Sequence, residues 1–233
     1  MGLDINVLAK PNPGDEEEFE SLWGLLTGKT PPPEQEEKGF LAGLFSKPEA
    51  PDLQAELDRF QEISTPPHAV LGAPVVGKDP EADAWLRKEF EDGVYQAANF
   101  EDLFAEMKGY HALQALPDCD GFPLYSHAYM YDGVDRTSFR GKFLEACEAV
   151  IGKENLEQAW EHMLASEFAQ WGTALQSRVE SYAAEHGLEH ALGKHDHEIT
   201  GDDTREDQVN IVADAARWAL FWSQRGHGAE PFF

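Results

Sequence analysis

The sequence predicts a predominantly α fold (α+β class), a helical bundle around one long central helix with a few short strands. Three observations carry this expectation. From Asn155 to His186, apolar residues recur at Leu156, Trp160, Met163, Leu164, Phe168, Trp171, Leu175, Val179 and Tyr182. These steps of three and four lay one stripe along a helix of period 3.6. From Thr204 to Arg225, apolar residues occupy nearly every side of a second helix, the pattern of a buried one. The β signals, by contrast, are brief alternating runs near Leu3–Leu8, Ala69–Val76 and Phe122–Tyr131, each bounded by prolines, glycines or a turn.

Taken in order, Leu3, Ile5 and Val7 alternate with Asp4 and Asn6 as in a half-buried strand, and Pro11, Pro13 and Gly14 end it. Asp15 is placed to cap an acid-led helix with Phe19, Leu22, Trp23 and Leu26 inward. Residues 28–51 hold Pro31, Pro32, Pro33, Pro48 and Pro51 around charged runs and read as an insert or linker in a single domain spanning 1–233. A helix follows from Asp52 to Ile63, then a proline- and glycine-rich extended segment. Asp79-Pro80 opens the next helix and Gly93 closes it. Asn99 caps another that runs to about Leu113. Thr137 or Ser138 caps a helix with Phe139, Phe143, Leu144, Cys147, Val150 and Ile151 inward, and Gly152 ends it. The central helix then starts at Asn155, with Gln158 completing a capping box, and stops at Gly187. At 1.5 Å per residue it would be roughly 48 Å long, with Gly172 the place for a kink.

Charge is the strongest feature of composition. Forty-four acidic residues against eighteen basic ones give a formal net charge of −26. That balance argues against nonspecific binding to nucleic acid or an anionic membrane. The opening ten residues lack a secretory apolar run, and no stretch approaches the roughly 18 apolar residues of a membrane span. A soluble, cytoplasmic protein is the expectation. Cys119 and Cys147 make neither a disulfide framework nor a CxxC pair. Cys147 reads as a small core residue.

Two places have the residues for chemistry. Tyr125, His127 and Tyr129 share one side of the expected strand, near Cys119 and Asp120. Phenols and an imidazole there supply donors, an acceptor and stacking surface for a small ligand. The competing reading is an aromatic strand beneath a helix. The second place is the polar loop after the central helix, where His190, His195 and His197 stand with Glu198 and Asp202. Imidazole and carboxylate suit a divalent transition metal, although such loops also simply face water. Phe40, Leu41, Leu44 and Phe45, within GFLAGLF, offer apolar surface to a protein partner or complete the core. No Walker loop, GxGxxG or GxSxG occurs.

Met1-Gly2-Leu3-Asp4-Ile5 together with Asp118-Cys119-Asp120-Gly121 resembles a group of uncharacterised bacterial and phage proteins that begin MGLDI and carry an acidic DCxG segment. The resemblance implies an initial strand and a bacterial intracellular setting, and no activity. The long proline-rich insert and the histidine loop depart from that group. On function, the residues favour a noncatalytic binding or interaction protein. A metal-dependent or cysteine-based enzyme is the alternative.

Overall fold

The computed structural model describes residues 4–30, 53–116, 138–139, 142–193 and 204–232. Its elements begin with β1 (Asp4–Val7), β2 (Lys10–Pro11), α1 (Glu16–Leu26), α2 (Leu53–Glu62), β3 (Ser64–Thr65) and α3 (Pro67–Val70). They continue with α4 (Pro80–Glu91), α5 (Phe100–Met107), β4 (Ser138–Phe139), α6 (Lys142–Glu145), α7 (Glu148–Ile151) and α8 (Lys153–Gln158). The last are α9 (Ala165–His186), α10 (Arg205–Ser223) and β5 (Ala229–Phe232). The fold is predominantly helical with a few short strands, as the sequence predicts. No described helix is long and apolar enough to cross a membrane.

The chain divides into two compact units, one of residues 9–65 and one of residues 1–8 with 66–233. In the first, α1 and α2 bury Phe19, Trp23 and Phe60. Phe60 stacks at 4.7 Å on Phe19 and 5.6 Å on Trp23. β2 and β3 pair antiparallel, Lys10 opposite Thr65. Arg59 places two nitrogens on the Glu18 carboxylate at 2.7 and 2.8 Å. That bidentate contact holds the Glu18 carboxyl below its ordinary value. Asp15 makes no side-chain cap bond. Instead the Gly14 N–H donates to the Glu16 carboxylate at 3.0 Å.

The larger unit is built on α9 and α10 with a small antiparallel sheet of order β4-β1-β5. In β1, Ile5 and Val7 are buried while Asp4 and Asn6 are half-buried, the alternation expected. Its partner β5 runs from Ala229 opposite Val7 to Phe232 opposite Asp4. Trp171, Trp218, Trp222, Phe168 and Phe139 fill the core between sheet and helices, and Cys147 is buried with them. A satellite core lies under α4 and α5, around Val76, Leu86, Leu103 and Ala112.

Several expected elements come out differently. The helix of Asn155–His186 is divided: α8 stops at Gln158, and α9 begins at Ala165. Between them Met163 exchanges both backbone hydrogen bonds with Ala229, at 2.9 and 2.8 Å. A strand contact distant in sequence has taken the backbone groups that a continuous helix would use. α9 then starts under its own cap, the Leu164 N–H donating to Glu167 at 2.8 Å. α9 runs uninterrupted through Gly172. The region Ala69–Val76 holds the short helix α3 and a single bridge from Val75 to His111 rather than a strand. The helix expected from residue 138 is split into β4, α6 and α7, because Phe139 and Ser138 pair with Ile5 and Asn6 of β1. The expected strand Phe122–Tyr131 and most of the 28–51 insert lie outside the described residues.

Candidate binding cleft

α9 and α10 run antiparallel. Gly172 faces Ala219 and Leu220, Phe168 meets Trp218 edge-on at 5.5 Å, and Asn210 reaches Ala191, just past the far end of α9. The approach is close because Gly172 has no side chain: a Cβ there would stand 3.0 Å from that of Ala219. Farther along, α10 presents Ala213 and Ala216, too small to fill the space between the helices. A cleft of about 520 Å³ results, lined by Gln176, Val179 and Glu180 of α9, Leu192, and α10 with its C-terminal turn through Arg225. That size is within the range of small-molecule sites, and the lining mixes six apolar residues with five polar or charged ones.

Two arginines line this cleft in a chain where acids far outnumber bases. Arg217 is fixed from behind. Its Nη1 donates to the Leu192 carbonyl at 2.6 Å, and its Nη2 contacts the buried Asp214 carboxylate. Asn210, one turn before Asp214, donates to the Ala191 carbonyl at 3.2 Å. Asn210, Asp214 and Arg217 therefore form a polar seam down one side of α10 that ties it to the turn at residues 189–192. Arg225 is held at the other end. Its guanidinium lies 3.5 Å over the Phe221 ring, and Nη1 donates to the Phe221 carbonyl at 2.8 Å. Glu180 lines the cleft from α9, its carboxylate accepting from Gln176 Nε2 at 3.0 Å.

No protein-family model, curated protein or solved structure matches this chain.

Of the residues the sequence singles out, His190 alone among the metal candidates is described. It is exposed on a 3-10 turn, its Nε2 3.1 Å from Glu206. His195 and His197, with Glu198 and Asp202, lie outside the described residues, as do Cys119, Asp120, Tyr125, His127 and Tyr129. So do Phe40, Leu41, Leu44 and Phe45. Among the described residues no group of three or more histidines, cysteines and carboxylates is arranged to hold a metal. His186 turns back on its own helix, stacked on Tyr182 at 4.1 Å with Nδ1 2.8 Å from the Tyr182 carbonyl. One further pair is brought together only by the fold. His68 of α3 and His111 stack at 3.9 Å between centroids. Burial, and then the neighbouring imidazole, lowers the His68 pKa.

The cleft is not legible from motifs. The signal for it in the sequence is Arg217, a permanent cation inside a helix that otherwise reads as buried on every side. Such a residue needs a partner or an opening to solvent, and the structure provides both: Asp214 behind and the cleft in front.

Proposed function

We propose that this chain is a noncatalytic binding protein that holds a small amphipathic molecule between α9 and α10. The supporting observation is the cleft itself. Its walls are Val179, Leu192, Ala213, Ala216, Leu220 and Phe221, and of its polar residues Gln176, Glu180, Arg217 and Arg225 are held by hydrogen bonds or ring stacking. A site fixed before binding loses less ordering entropy when a ligand enters. The test is an amide NMR titration with a set of small amphipathic compounds. Saturable shifts confined to residues 176–180 and 213–225 are expected, and they should vanish in Gln176→Trp, whose exposed position lets an indole cover the opening. Shifts that persist in that variant, or an absence of saturable shifts for every compound, would sink the reading.

A further inference from the structure

We infer that the aromatic face made by Trp85, Tyr95 and Tyr110 is a docking surface for a basic segment of a partner protein, which lays an arginine or lysine side chain against the rings. The face is built on α4 and the segments 94–95 and 109–111, none of which lines the α9–α10 cleft. Tyr110 lies nearly parallel to the Trp85 indole, with 16° between planes and 5.9 Å between centroids. Tyr95 meets the same indole edge-on at 6.3 Å. Trp85 and Tyr95 pack, partly buried, against the satellite core. The indole covers one side of Tyr110, which is nevertheless 38% exposed, and Val94 beside Tyr95 is 60% exposed. Aromatic and apolar surface is thus left for a partner.

Charge decides what that partner carries. The face of an aromatic ring attracts a cation, most strongly in tryptophan. α4 already shows one such contact, Arg87 standing 4.0 Å over Phe100. Among the described residues no arginine or lysine lies over Trp85, Tyr95 or Tyr110 in this way. The surroundings of these rings are negative. Glu81 and Glu89 stand one turn before and one turn after Trp85, on the same side of α4. Burial, then Tyr110, then Glu89 raise the Tyr95 pKa, which sets that carboxylate near the phenol. Lys88 is paired with Asp92 of its own helix turn. Over residues 78–110 there are nine carboxylates and four arginines and lysines. Rings for the guanidinium plane or the lysine stem, with carboxylates for the charge, complement a basic side chain. A second copy of this chain brings the same −26 and is repelled. A face this open encloses little of a free small cation, so the cation is one presented by a larger chain.

The overall charge draws any basic peptide, so ring contact must be separated from bulk attraction. The probe is a peptide of alternating glycine and arginine with blocked ends, titrated into the full chain in about 0.15 M salt and followed by NMR. Saturable shifts are expected at the Trp85 indole N–H and at the amides of residues 85–95 and 109–111. The citrulline counterpart, of the same shape without charge, should bind roughly tenfold more weakly. Tyr110→Leu keeps the protein's charge and should weaken the arginine peptide roughly threefold, while Tyr110→Phe should retain the affinity. Glu89→Gln, which leaves every ring in place, should also weaken it and keeps the test readable if Tyr110→Leu disturbs folding. Shifts spread evenly over the acidic surface, an affinity unchanged in both Tyr110→Leu and Glu89→Gln, or citrulline binding as well as arginine would each overturn the assignment. Tetramethylammonium binding these rings as tightly as the peptide would overturn it in favour of a small free cation.

Discussion

The His68–His111 stack shows how a single contact couples this protein to pH. His68 has its pKa lowered from the ordinary 6.5, chiefly by burial. The unfolded chain therefore takes up a proton at this residue before the folded one does. Stability is complete above about pH 6.5 and falls as pH drops through that value toward the folded pKa. Urea unfolding at pH 7.5 and 5.5 should show a larger loss in the wild type than in His68→Asn. Equal losses would mean that the stack has no part in the acid response. The buried carboxylate of Asp214 makes a second prediction at this scale. Asp214→Ala leaves the half-buried Arg217 without that counter-charge, at a cost of about 3 kcal/mol, measured as a drop in the urea midpoint. An effect within about 0.5 kcal/mol, typical of surface positions, would show that the pair contributes little.

At the scale of elements, two glycines decide how closely segments approach. A Cβ at Gly228 would stand 2.1 Å from the Met163 carbonyl oxygen, and both sides of that contact are backbone. Gly228→Ala must push β5 away from the 163–164 turn and should cost more than about 3 kcal/mol, in the range of strongly disruptive substitutions. Thermal melts read this directly, and an unchanged melting temperature would contradict the geometry. Gly172 is the milder case. Its replacement by Ala gains up to about 1 kcal/mol of helix propensity and crowds the Ala219 methyl group. Overpacking of this kind costs about 1–3 kcal/mol, so a small net destabilisation is expected. Helix caps follow the same local logic. Thr204 caps α10 through the Asp207 N–H at 3.2 Å, as Asn99 caps α5 through Asp102 at 2.9 Å.

For the whole molecule, charge dominates. A formal −26 means that compaction gathers like charges. Raising salt from about 0.01 M to about 0.1 M shortens the Debye length from about 30 to about 10 Å. The melting temperature should rise across that interval. A fall would show that ion pairs such as Arg59–Glu18 outweigh the repulsion.

The sequence by itself determined the helical class, the stretch that becomes α9, the caps at Asn99 and Thr204, and the alternation of β1. These follow from periodicity and from side chains that bond to backbone a few residues away. It also placed Trp171, Leu175, Val179 and Trp218 inside, because burial follows the stripe on which they lie. Only the tertiary structure decided where α9 begins: Ala229, far along the chain, takes the hydrogen bonds of Met163. The same holds for Phe139, which reads as helix and pairs with Ile5 as strand. The cleft belongs to this second group. Ala213 and Ala216 read locally as an ordinary helix, and the hollow they line exists only once α10 is packed against α9 and the turn at Leu192. Local propensity sets which segments become helices, and contacts remote in sequence set where those helices stop and what space they leave between them.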